Sequence, residues 1–258
     1  MSLHVEQTGI GPDLVLLHGW GMNAAVWEGL PAAVGTGRRV SRIELPGHGA
    51  SSFEPSHDGL PAWADACLDS TPARAVWIGW SLGGLVALEA ALRAPQRVAA
   101  LVLITATPRF VQADDWPAAT PAGTFAGFRD ALLADPAATL DRFLALQVRG
   151  SDAARETLRT LRRELAQRPT PDPEALAAGL RLLRETDLRD RLSGLACPIL
   201  WLFGERDTLV PVAAAEAISA LAPTARYALV QGAGHAPFLS HPRETAGVLA
   251  AFLSEIGW

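Results

Sequence analysis

Lysine is absent from this chain. All 22 of its basic residues are arginine, so any positive surface is built from planar guanidinium forks rather than ammonium point charges. Against 27 acidic residues they leave a net charge of -5, which argues against general nucleic-acid binding. Cysteine is nearly as scarce. Cys67 and Cys197 are too few for a disulfide framework and lack metal-ligand spacing, so neither a disulfide scaffold nor a metal centre is expected, and a reducing cytoplasm fits. Long apolar runs are missing too: the longest, near Val98 to Ala106, is about half a membrane span. The opening Met-Ser-Leu-His-Val-Glu carries neither a basic start nor an apolar segment, so neither export nor membrane anchoring is expected. What remains is the composition of a soluble enzyme with a large core, 49% hydrophobic and 19% charged over 258 residues. That length suits one domain, or one domain with an insertion, and we expect a monomer.

The most informative stretch is Ala75-Val-Trp-Ile-Gly-Trp-Ser81-Leu-Gly-Gly84. An apolar strand runs into Gly79-Trp80-Ser81-Leu82-Gly83 and then into a helical pattern ending near Leu92. This spacing reads as a nucleophile elbow, in which serine occupies a strained turn and small residues two before and two after relieve crowding. Alone, the motif also fits an ordinary strand-to-helix turn. Upstream, Leu14 to Leu17 reads as a buried strand closed by His18-Gly19-Trp20-Gly21. Acyl transfer to serine needs two N–H donors aimed at the developing oxyanion, one following the nucleophile and one from a loop after an early strand. Leu82 and Trp20 are the candidates. The side chains of His18 and His48, the latter in a Pro46-Gly47-His48-Gly49 turn after a strand at 40–45, are expected to be structural.

Residues 59–70 read as a helix under the elbow and 97–107 as another buried strand. Short apolar strands alternating with helices imply a mostly parallel sheet covered on both faces, which places ligands at the carboxyl ends of its strands. From 109 to 192 the strand pattern disappears and helical periodicity takes over, at 125–134, 137–148, 153–167 and 174–185. We read this as a helical cap inserted between core segments 1–108 and 193–258. It is locally basic: from Arg142 to Arg168 there are seven arginines against three acids. Arg155, Arg159 and Arg162 share one helix face at i, i+4 and i+7. Such a face is either a solvated surface or a dock for an acidic partner. Trp20, Trp80, Phe143 and Leu146 are candidates for lining an acyl pocket, or for the core.

After the cap, strands at 198–203 and 226–230 end in Gly204-Glu205-Arg206-Asp207 and Gly232-Ala233-Gly234-His235. The order Ser81, Asp207, His235, each beyond a strand in a glycine-bearing loop, is the chain order of one class of serine hydrolases and of no other common class. Glu205 and His241 are the rival acid and base. Glu205 lies closer to its strand and His241-Pro242 looks like a helix start.

With these residues in place the chain resembles the α/β-hydrolase family. Leu16 to Gly21, Trp77 to Gly84, Arg142 to Gln147 and Gly234 to Phe238 resemble, more narrowly, its BioH-like pimeloyl-(acyl-carrier protein) methyl ester esterases of biotin synthesis. The resemblance implies a Ser81-His235-Asp207 acyl-enzyme mechanism without metal or cofactor, and an oxyanion hole at Trp20 and Leu82. It implies substrate contacts at Trp20, Ser81, Leu82, Phe143, Leu144, Ala145, Leu146, Gln147 and His235. It also implies an acyl carrier protein as partner, docked on Arg142, Arg155 and Arg159, with Ala138 standing where the family pattern carries a further arginine. A general short-chain carboxylesterase or thioesterase remains the alternative, followed by a low-turnover ligand-binding module on the same fold.

Overall fold

The computed structural model describes residues 1–30 and 34–258. Seven strands, Val5–Thr8 (β1), Asp13–Leu17 (β2), Arg39–Ile43 (β3), Ala75–Trp80 (β4), Val98–Ile104 (β5), Ile199–Gly204 (β6) and Arg226–Val230 (β7), form one sheet in the order β1-β3-β2-β4-β5-β6-β7. All neighbours pair in parallel except β1, which runs antiparallel to β3. Every residue of β4, β5 and β6 is buried, as expected of apolar strands with helices on both faces. The strands read from sequence all lie in this sheet. β1 was not among them: Val-Glu-Gln-Thr has no apolar run, because it is an edge strand with two residues half-buried and two exposed.

Leu60–Asp69 (α1) packs against Leu82–Arg93 (α2), the helix that leaves the elbow. Between β5 and β6 stand Ala122–Ala134 (α3), Pro136–Gln147 (α4), Ala154–Leu165 (α5) and Pro173–Glu185 (α6). Pro136 and Pro173 open their helices, where the missing N–H costs nothing. The preceding aspartates cap them: Asp135 accepts from Ala138 N–H at 3.0 Å and Asp172 from Glu174 N–H at 2.7 Å. α5 buries Thr157, Leu161 and Glu164 on one face, which turns Arg155, Arg159 and Arg162 outward. α6 reaches the core. The Trp20 indole N–H donates to Leu176 O at 2.8 Å, and a Cβ on Gly179 would lie 2.7 Å from Trp20 Cδ1. Both ends of the helical segment are tied together, with Asp187 bonded to Arg109 at 2.6 Å and Arg189 at 2.8 Å, and Leu188 N–H donating to Pro108 O at 3.0 Å. Ala214–Leu221 (α7), Pro237–Ser240 (α8) and Pro242–Glu255 (α9) complete the chain.

Parallel register brings the loops after β2, β3, β4, β5, β6 and β7 to one rim of the sheet. Two buried histidines brace it. His18 Nε2 accepts from Leu45 N–H at 3.0 Å, and His48 Nε2 accepts from Gly21 N–H at 3.1 Å. Their Nδ1 atoms face Gly19 O at 2.8 Å and Pro46 O at 2.9 Å, so each ring is neutral with its proton on Nδ1. Burial, with a smaller push from His48, holds His18 well below the ordinary histidine range. Burial also lowers His48 to about 4, partly opposed by the Pro46 carbonyl. Both side chains serve structure, as the sequence suggested.

A depressed folded pKa stabilises the protein above the unfolded value of about 6.5 and loses that contribution as the pH falls through the folded value. His48 alone should therefore remove roughly 3 kcal/mol of stability between about pH 6.5 and 4. Urea midpoints across that range should fall less steeply for His48→Gln than for the unaltered protein. Parallel slopes would contradict this account.

Candidate active site

Ser81 sits at φ 54° and ψ -117° between β4 and α2, one of two non-glycine residues in the left-handed region among those described, with Thr105 at φ 42°. The turn is held by its own amides: Ser81 N–H donates to Ile104 O at 3.0 Å, and Ser81 O accepts from Gly84 N–H at 2.9 Å and Leu85 N–H at 3.3 Å. Two glycines are required by close approach. A Cβ on Gly79 would strike the Gly83 carbonyl, and one on Gly83 would strike the Leu17 and His18 carbonyls. This is the spatial content of the Gly-x-Ser-x-Gly spacing.

The loops after β6 and β7 bring Asp207 and His235 together. His235 Nδ1 lies 2.7 Å from Asp207 Oδ2, with both side chains almost wholly buried. Asp207 Oδ1 accepts from Leu209 N–H at 2.8 Å and Val210 N–H at 3.0 Å. Three donors thus surround the carboxylate, and the contact with His235 places the histidine proton on Nδ1. His235 Nε2 is buried and has no hydrogen-bond partner among the described residues, the Ser81 hydroxyl included. The rivals are engaged elsewhere. Glu205 Oε2 accepts from Gly232 N–H at 2.8 Å, bracing the histidine loop, and His241 Nδ1 meets Ser240 Oγ at 2.9 Å ahead of α9.

The Trp20 loop abuts the elbow, since a Cβ on Gly19 would lie 3.4 Å from Ser81 Cβ. Its next amides are used locally, Gly21 N–H toward His48 and Met22 N–H toward Gly19 O at 3.2 Å. Among the described residues no such acceptor takes the N–H of Trp20 or of Leu82. In the 143–147 segment, Phe143 and Leu144 are buried, Leu146 is half-buried and Ala145 faces outward. The Phe143 ring meets Trp20 edge-on with centroids 4.7 Å apart, and Phe128 meets Phe143 at 5.5 Å. A cleft of about 320 Å³ between α3 and α4 is lined in part by Phe128, Leu146 and Arg142.

Two placements were not legible in the sequence. Trp80 does not face an open acyl pocket: its ring is fully buried against Phe238 with centroids 5.0 Å apart, and its indole N–H donates to His235 O at 2.7 Å. Gln147 contributes its backbone, accepting from His235 N–H at 2.9 Å, while its side chain turns back toward Phe143 O at 3.4 Å. On the outer surface Arg142, Arg155 and Arg159 are exposed and form no ion pair among the described residues, whereas Arg162 is engaged by Asp141 at 2.8 Å. The described residues hold no cluster of three or more metal-ligating side chains. Among them no helix is long and apolar enough to cross a membrane.

The family model for the alpha/beta hydrolase fold matches residues 12–242. A pimeloyl-(acyl-carrier protein) methyl ester esterase of Stenotrophomonas maltophilia (strain K279a) is 46% identical over 98% of this chain and 97% of its own length. The protein of the same name from Aeromonas hydrophila is 43% identical over 98% of this chain and all of its own. Among solved structures, an esterase from Exiguobacterium antarcticum superposes with a TM-score of 0.88 over 98% of this chain and 95% of that one, at 21% identity, a likeness of fold. The chain belongs to the α/β-hydrolase family.

Proposed function

We propose that this chain is an esterase that hydrolyses the methyl ester of a pimeloyl-(acyl-carrier protein), releasing methanol and leaving the free carboxylate on the carrier. The observation that carries the reading is 43–46% identity, over nearly the whole chain, to relatives bearing that name. The site chemistry supports it independently. Ser81 would attack the ester carbonyl while His235 Nε2 takes the hydroxyl proton, and Asp207 would stabilise the imidazolium. His235 would return that proton to methoxide, a poor leaving group without it, and then activate the water that hydrolyses the acyl-enzyme. The N–H groups of Trp20 and Leu82 would hold both tetrahedral oxyanions, each typically contributing about 10² to 10³ in rate.

In this reading residues 109–192 act as the cap over core segments 1–108 and 193–258. The guanidinium groups of Arg142, Arg155 and Arg159, which form no ion pair among the described residues, would receive the acidic carrier protein, and the prosthetic arm would pass the Phe143–Gln147 segment toward Ser81. Presenting the far end of the chain keeps the thioester away from the nucleophile. Charge on the docking face should govern encounter with the carrier more than the chemical step.

Growth of a biotin-requiring strain that lacks its methyl esterase should be restored by this chain and not by Ser81→Ala. Failure of the unaltered chain would favour a general esterase. In purified protein Asp207→Asn should lower kcat by about 10⁴. Replacing Arg155 and Arg159 together by Glu should lower kcat/KM on the carrier-linked methyl ester by about ten-fold or more while sparing p-nitrophenyl esters. Undiminished cleavage of the carrier-linked ester would refute docking at these positions.

A further inference from the structure

The backbone of His235 is gripped from both sides. Its N–H is taken by the Gln147 carbonyl at the end of α4, and its carbonyl receives two buried donors at once, the Trp80 indole N–H and the Thr105 hydroxyl, each at 2.7 Å. Trp80 immediately precedes Ser81 on β4, and Thr105 follows β5, the next strand in the sheet. Thr105 adopts φ 42°, a conformation unfavourable for a β-branched residue that persists only where the surroundings enforce it. Its N–H is anchored to Leu202 O at 2.8 Å in β6, so the strained residue is tied to the strand that delivers Asp207 while its hydroxyl holds the residue that Asp207 orients.

We propose that Trp80 and Thr105 are positioning residues that set the base against the nucleophile by clamping the His235 carbonyl. Asp207 fixes the imidazole tautomer and rotation about Nδ1, but a single bond at Nδ1 leaves the ring free to slide with its loop. The two donors remove that freedom by referring the loop to the ends of β4 and β5. Because Trp80 adjoins Ser81, one short path of rigid atoms connects hydroxyl and imidazole. The clamp matters most for Nε2, which has no partner of its own among the described residues and must find the Ser81 hydroxyl through placement alone. The inference rests on the reading of His235 as the base. It assigns a purpose to a strained threonine and a buried tryptophan that core packing alone does not require.

Thr105→Val keeps shape and removes the hydroxyl; Thr105→Ser restores it. With active sites counted by fluorophosphonate titration, kcat for a free p-nitrophenyl ester should fall about ten-fold in Thr105→Val, KM changing less than two-fold, and recover largely in Thr105→Ser. Trp80→Phe should show the same split. If kcat per titrated site is unchanged in Thr105→Val, or falls equally in Thr105→Ser, the clamp is structural only and the proposal fails, whatever happens to melting temperature. Should Trp80→Phe not fold, the two threonine variants decide alone. His235→Ala separates the layers: it must be inactive if His235 is the base, so an active His235→Ala overturns the assignment of the base on which the clamp rests, whereas an inactive His235→Ala beside an unimpaired Thr105→Val overturns only the clamp.

Discussion

The bond between His235 Nδ1 and Asp207 Oδ2, 2.7 Å long and shut away from water, is the constraint on which the rest depends. It joins loops from two different strands, so it exists only if β6 and β7 lie side by side in parallel register, as they do. A buried carboxylate is tolerable only when its lone pairs are satisfied, and here two backbone amides and the imidazole satisfy them. The same bond decides which histidine nitrogen carries the proton, and therefore that Nε2 is free to accept one.

The remainder of the rim follows from that demand for placement. The turn at Ser81 is held in the left-handed region, and the glycines around it are present because backbone carbonyls occupy the space a Cβ would need. Neutral His18 and His48 hold the facing loop by accepting its amides. The helices between β5 and β6 cover this rim and also hold it, through Leu176 O at Trp20 and Gln147 O at His235. The turn after α4 is fastened to the same loop by Asp152 N–H on Gly232 O at 3.1 Å and by the Arg206–Asp152 pair. The start of α5, which carries Arg155 and Arg159, thus lies next to a turn bonded to the loop that carries His235.

Much of this was legible because it is local. Apolar runs bounded by glycine turns announced six of the seven strands, and the chain order of Ser81, Asp207 and His235 restricted the fold. Edge strand β1 escaped because half-exposed polar residues leave no periodic signal. Whether Trp80 lines a pocket or belongs to the core was left open by the sequence, because only coordinates reveal a bond to a carbonyl 155 residues away. Thr105 gave no signal, since a left-handed φ on threonine is imposed by tertiary contacts rather than by its own propensity. The arginine face of α5 was visible as a sequence pattern, but that Arg162 is paired depends on Asp141, which belongs to another helix.

The most direct test of the central claim is the mass of the covalent intermediate. If Ser81 attacks the methyl ester at the far end of a chain still joined to its carrier, rapid quenching of the reaction should trap enzyme and carrier as one adduct, weighing their sum less one methanol, with the link mapped to the Ser81 peptide. An adduct carrying only the acyl group with its methyl ester intact, the carrier having departed as thiol, would mean attack at the thioester instead and would contradict the account.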